Sequence, residues 1–72
     1  MQRYFFVIRW PTEEHDDHSG TLLPNDDAAV SYAIRIIGEL KVGGGYNEEG
    51  LTMIIRNASG IIIGSILFAG LN

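Results

Sequence analysis

The sequence predicts an α+β fold of two layers: one helix on a four-stranded antiparallel or mixed sheet, in the order ββαββ. Three observations predict it. Residues 24–45, PNDDAAVSYAIRIIGELKVGGG, carry a helix start signal, a stop signal and an apolar repeat at helical spacing between them. The runs on either side are short, β-branched or aromatic, and are punctuated by Gly, Pro, Asn and Asp. Seventy-two residues make a single small domain, and a sheet face needs a covering layer to bury its apolar side.

The helix is predicted over about residues 26–42. Asn25 is its N-cap, with a side-chain oxygen able to accept from a free first-turn amide, and Asp26 and Asp27 place negative charge at the positive end of the dipole. Lys41 places a cation near the last carbonyls, and Gly43, Gly44 and Gly45 are expected to supply a left-handed stop. At 100° per residue, Ala29, Ala33, Ile36 and Leu40 form one stripe flanked by Val30, Tyr32 and Ile37, with Asp27, Ser31, Arg35 and Gly38 opposite.

Before the helix, residues 3–10 (RYFFVIRW) have strand composition, and Pro11 ends the strand. A polar surface loop, TEEHDDHSG, follows, and Thr21–Leu23 reads as a short second strand closing a hairpin on the first. After the helix, GGGYNEEG is an acidic connection to strands over about 51–57 and 61–68. Asn57-Ala58-Ser59-Gly60 links these two as a hairpin, with Gly60 taking the positive φ. If the long, apolar first and fourth strands are central, the strand order is 2-1-4-3. The alternative is 2-1-3-4.

Alternation assigns faces. Arg9, Thr52, Arg56 and Ser65 mark the side away from the helix, and Phe5, Val7, Ile54, Ile61, Ile63 and Leu67 share their parity. Tyr4, Phe6, Ile8, Leu51, Met53, Ile55, Ile62, Ile66 and Phe68 then face the helix, with Gly64 allowing close approach. One helix covers one face, so six large apolar side chains on the other predict self-association. The expected form is a two-fold homodimer burying the outer sheet face or an edge strand, with those six residues as its interface candidates.

Composition excludes several chemistries. Without cysteine there is no disulfide and no thiolate metal site. A formal charge of −4, from five basic and nine acidic residues, argues against a nucleic-acid binder, which needs clustered Lys and Arg. The N-terminal MQRYFFVIRW lacks the pattern of a signal peptide, and the apolar run 61–71 is shorter than the roughly 20 residues a helical span needs. A soluble, cytoplasmic protein without membrane contact is expected.

One cluster has metal-ligand chemistry: His15, Asp17 and His18, within His15-Asp16-Asp17-His18. It is contiguous and surrounded by further acids, so a solvated loop is the expectation, with Asp17 and Gly20 shaping the turn. The glycines at 43–45 follow a helix C-terminus, whereas phosphate cradles feed a helix N-terminus. Trp10 and Tyr46 are the aromatic candidates for a partner surface. No catalytic residue, metal or cofactor is expected.

The residues Arg3-Tyr4-Phe5-Phe6, Arg9, Asp17, Gly20, Leu23-Pro24, Ala28-Ala29, Gly60 and Phe68 together resemble a family of short bacterial proteins. That family is common in soil and plant-associated alphaproteobacteria and is catalogued as a domain of unknown function. The resemblance implies the same strand-strand-helix-strand-strand order and no activity. Val7 stands where the family usually has His, and Trp10-Pro11 where it has Asp-Gly. Ile54, Ile61 and Ile63 stand where charge is usual. The expected function is therefore that of a homodimeric interaction or accessory module, not an enzyme, with an unidentified protein as a further partner. A metal- or small-ligand-binding protein using the His15–His18 loop and a nucleic-acid-associated regulator are the alternatives.

Overall fold

The computed structural model describes residues 1–44 and 50–70. Its elements are β1 (Gln2–Arg9), β2 (Glu14–His15), β3 (Thr21–Leu23), α1 (Asp26–Gly43), β4 (Thr52–Arg56) and β5 (Ile62–Leu67), followed by a 3₁₀ turn over Phe68–Gly70. The acidic connection expected after the helix falls largely on residues 45–49, outside the described residues, and Tyr46 lies there too.

The helix lies on one face of a fully antiparallel sheet ordered β2-β1-β4-β5, with β3 also pairing β1. Relative to the four strands expected, the order is therefore 2-1-3-4, and the last strand is an edge rather than a centre. The physical reason is burial on both faces. Met53, Ile54 and Ile55 of β4 are consecutive buried residues, as a central strand requires, whereas β5 alternates exposed with half-buried positions. Length and apolarity alone pointed to the wrong strand.

The polar loop contains a strand of its own. Trp10 N–H donates to the Glu13 carbonyl at 2.7 Å across Pro11 and Thr12, and β2 returns along β1 before β3 does. Five residues, 16–20, thus face only Phe5, Phe6 and Val7 of β1, between the pairs Ile8↔His15 and Tyr4↔Thr21. The Asp17 carboxylate fills this gap. It accepts from the Phe6 amide at 3.2 Å, from Ser19 at 3.2 Å and from Gly20 at 2.9 Å. A side chain thereby satisfies the β1 amide that no strand carbonyl reaches. The role expected for Asp17 and Gly20 in shaping the turn is the one they play.

Asn25 caps the helix as expected, its Oδ1 accepting from Ala28 N–H at 2.9 Å. Ala29, Ala33 and Ile37 are the buried residues of α1, so the stripe centres on Ile37 rather than Ile36, and Ile36 and Leu40 flank it. The alanines admit Tyr4, Phe6, Leu51, Met53, Ile55 and Phe68 to one cluster, with the Phe6 and Tyr32 rings 5.1 Å apart. The stop is not left-handed at Gly44, which has φ −107°, and Gly45 lies outside the described residues. Lys41 Nζ donates to the Phe68 carbonyl at 2.9 Å, tying the last helical turn to the end of β5.

The β4–β5 hairpin forms as its turn residues predict. Gly60 has φ +82°, and Asn57 Oδ1 accepts from Ser59 at 2.9 Å and from Ile61 at 3.0 Å. One feature overturns the face assignment at its start. The register passes from Ile55↔Gly64 to Arg56↔Ile62, so Ile63 is an extra residue in a β-bulge. A one-residue insertion exchanges faces. Ile63, expected on the outer face, packs against the core, and Ile62, expected in the core, is 50% exposed. Beyond the bulge the expected parity holds.

Candidate functional site

The site expected from the sequence is the sheet face away from the helix. By register and alternation, Phe5, Val7 and Arg9 of β1 lie there beside Arg56, Ile54 and Thr52 of β4, and Ser65 and Leu67 continue the rows onto β5. Val7 and Ile54, at the middle, are each only 3% exposed, and Phe5 is half-buried. Along β5 and just before it the exposed apolar side chains are Ile61 at 61%, Ile62 at 50% and Leu67 at 59%, while Met1, Leu22, Ile34 and Val42 are exposed elsewhere. Of the six residues expected to make an open patch, only Ile61 and Leu67 are exposed. Ile62 joins them because of the bulge.

The arginines that mark this face are engaged locally. Arg9 forms an ion pair with Glu14 at 2.6 Å, Arg3 Nη1 donates to the Ser19 carbonyl at 2.6 Å, and Arg56 Nη1 donates to the Gly60 carbonyl at 3.5 Å. Arg35 is on the helix, 5.1 Å over the Tyr32 ring and paired with Glu39 at 3.8 Å. Three therefore address backbone carbonyls or acids of the sheet rim, and the fourth lies on a different element. They do not make a phosphate-tracking stripe.

The histidine cluster is dispersed by the strand it contains. His15 lies in β2 with its ring 4.5 Å from that of Trp10, whereas Asp17 is turned toward the amides of Phe6, Ser19 and Gly20. His18 is exposed. Among the described residues no group of three or more His, Asp and Glu side chains is placed to hold a metal ion. Trp10, a candidate partner anchor, packs against the core cluster instead.

A shallow open groove of about 310 Å³ lies between β3 and the helix, lined by Leu23, Ala28, Ser31, Tyr32 and Arg35. It is at the small end of the range for ligand pockets and carries a single cation, itself paired with Glu39. No helix among the described residues is long and apolar enough to cross a membrane.

The feature that sequence reasoning missed is the condition of the two sheet edges. One is divided into strands of two and three residues, plugged by Asp17 and lined by Glu13, Glu14 and Asp16. The other is β5, six residues long, and no residue from Asn57 to Asn72 has a charged side chain. The available signal was that uncharged stretch, whose meaning depends on knowing that β5 is an edge.

Neither a curated protein nor a solved structure matches the chain. A family model described as a domain of unknown function, DUF6894, matches residues 3–69, which include the helix and all of the strands but Gln2 of β1. The chain belongs to the DUF6894 family.

Proposed function

We propose that this protein is a homodimeric interaction module, an accessory protein that contributes a surface rather than a reaction. The observation that carries this reading is the exposure of Ile61, Ile62 and Leu67 along one side of a small acidic domain. Exposed aliphatic side chains grouped at one rim are characteristic of association surfaces, and a domain of this size gains stability by burying them against a second copy. The polar side chains support the same reading by where they are committed. Asp17 and Asn57 accept from turn amides, and Arg3 and Lys41 donate to turn carbonyls, so these groups hold the scaffold together.

Light scattering over a wide concentration range tests the reading. A dimeric mass, twice that of the 7.9 kDa chain, is expected, and an Ile62→Lys, Leu67→Lys double variant with unchanged circular dichroism is expected to be monomeric. A wild type that stays monomeric at every concentration sinks the proposal.

A further inference from the structure

We infer that the bulge in β5 is a slip joint, in which Ile62 and Ile63 exchange roles, one facing the core while the other faces outward opposite Arg56. This holds for one copy alone and does not depend on the homodimer.

Two fixed points bound the joint. On the turn side, Asn57 N–H donates to the Ile61 carbonyl at 2.9 Å and Gly60 N–H to the Asn57 carbonyl at 2.9 Å. Asn57 Oδ1 also accepts from the Ser59 and Ile61 amides, and Gly60 takes the left-handed φ of +82°. This turn sets Asn57 opposite Ile61. On the sheet side, Ile55 lies opposite Gly64. A Cβ on Gly64 would already touch Ile55 Cδ1 at 3.4 Å and Val30 Cγ2 at 3.9 Å, which leaves no room for the rest of an isoleucine.

The two fixed points disagree by one residue. A regular ladder continued from Asn57 and Ile61 would put Ile63 opposite Ile55, where the sheet holds Gly64. The surplus residue has to be absorbed between Ile61 and Gly64, and only Ile62 and Ile63 lie there. Together they oppose the single residue Arg56, the two-for-one count of a bulge.

Nothing in the ladder selects which of the two is the extra one. Phe68 N–H donates to the Leu51 carbonyl at 3.0 Å, and hydrogen-bonded pairs alternate along an antiparallel ladder. Ile55 and Gly64 are therefore a bonded pair, as are Asn57 and Ile61, and Arg56 stands at the unbonded position between them. Moving the bulge from Ile63 to Ile62 leaves both flanking pairs intact. The side chains do not discriminate either. Ile63 packs against the core and Ile62 is 50% exposed, and exchanging them puts an isoleucine back in each place. Register is weakly specified where the two faces receive the same residue. The next three positions, Gly64, Ser65 and Ile66, differ from one another and hold the strand beyond the joint. The hairpin thus presents two backbone paths beside its exposed isoleucines, and a surface fitted to one path draws population from the other.

Relaxation-dispersion NMR on the wild type at two protein concentrations is the test. Concentration-independent exchange on the microsecond-to-millisecond scale is expected at the amides of Arg56 and Ile61–Gly64 and not at Ile66 or Leu67, with a minor state of about 1% or more. Threonine keeps the β-branch and favours the solvent side, so it biases the joint. Ile62→Thr holds the present arrangement and is expected to abolish the exchange. Ile63→Thr is expected to move the bulge, bringing the Ile62 methyl groups into nuclear Overhauser contact with Ile55. Flat dispersion profiles in the wild type overturn the slip joint. So does exchange that grows with concentration, which reports association instead, and so does Ile63→Thr with Ile62 still facing outward. Should a threonine variant fail to fold, the wild-type dispersion decides alone.

Discussion

The Tyr4 hydroxyl donates to Asp26 Oδ1 at 2.7 Å, linking a fully buried residue of β1 to the first residue of the helix. The hydrogen bond to Asp26, then burial, then the negative charge of Asp26 together push the Tyr4 phenol up to about 12. An unfolded tyrosine ionises near pH 10, so its folded form loses the proton later. A raised folded-state pKa contributes stability that is complete below the unfolded value and is lost as pH rises through the folded one. Thermal midpoints are therefore expected to fall between about pH 10 and 12, more steeply in the wild type than in Tyr4→Phe. The same variant is expected to have a lower midpoint at neutral pH, where the bond to Asp26 is intact only in the wild type. Parallel alkaline melts giving identical slopes would refute this role for Tyr4.

Asp17 is expected to be the most sensitive position in the polar loop. Its carboxylate serves three backbone amides, one of them in β1, and Asp17→Ala leaves the partly buried Phe6 amide without that acceptor. A loss of about 2 kcal/mol is expected in urea unfolding, the scale for removing a partner from a hydrogen-bonded donor. Asp17→Asn keeps one oxygen and should recover part of it. Asp16→Ala, at an exposed neighbouring site, should change stability by less than about 0.5 kcal/mol.

How much of this was legible in the sequence depends on the range of the interaction. Asn25, Asp26 and Asp27 declared the helix start because a cap acts over three residues, and Ala28 does donate to Asn25. Gly60 declared its turn for the same reason. The strand order did not show itself, because centrality depends on what lies to either side. Even so, consecutive apolar residues at 53, 54 and 55 put apolar side chains on both faces of β4, and that was the available clue. The bulge at Ile63 defeated parity outright. IIIGSIL satisfies either register by composition, and only the pairing with Arg56 selects Ile62 for the outer face. The candidate site followed suit: an excess of apolar residues was legible, but the burial of Val7 and Ile54 and the exposure of Ile61, Ile62 and Leu67 required the third dimension.

The helix cap gives a local prediction independent of any partner. Asn25→Ala removes the acceptor for Ala28 N–H and is expected to cost about 1 kcal/mol, whereas Asn25→Asp or Asn25→Ser should retain most of the stability. The unfolding slope with denaturant should be unchanged in all three, because the buried surface is the same. A neutral Asn25→Ala would mean that sheet packing alone fixes the helix start.

Two glycines with nearly the same backbone separate conformational strain from crowding. Gly20 has φ +72° and Gly60 φ +82°, a region in which a side chain costs roughly 1 kcal/mol or more. A Cβ on Gly60 meets nothing within 4 Å, so Gly60→Ala should cost about that much and no more. At Gly20 the same carbon would lie 2.7 Å from Arg3 Cγ, 2.9 Å from Phe5 Cε1 and 2.9 Å from the Tyr4 carbonyl oxygen. Arg3 can swing aside, but the Tyr4 carbonyl belongs to the β1–β3 ladder and cannot move without breaking it. Gly20→Ala is therefore expected to destabilise by at least about 2 kcal/mol, the range of steric overpacking added to that of the backbone. Equal losses at the two positions would mean that residues 16–20 do not pack against β1 as closely as the Arg3–Ser19 and Asp17–Phe6 bonds require.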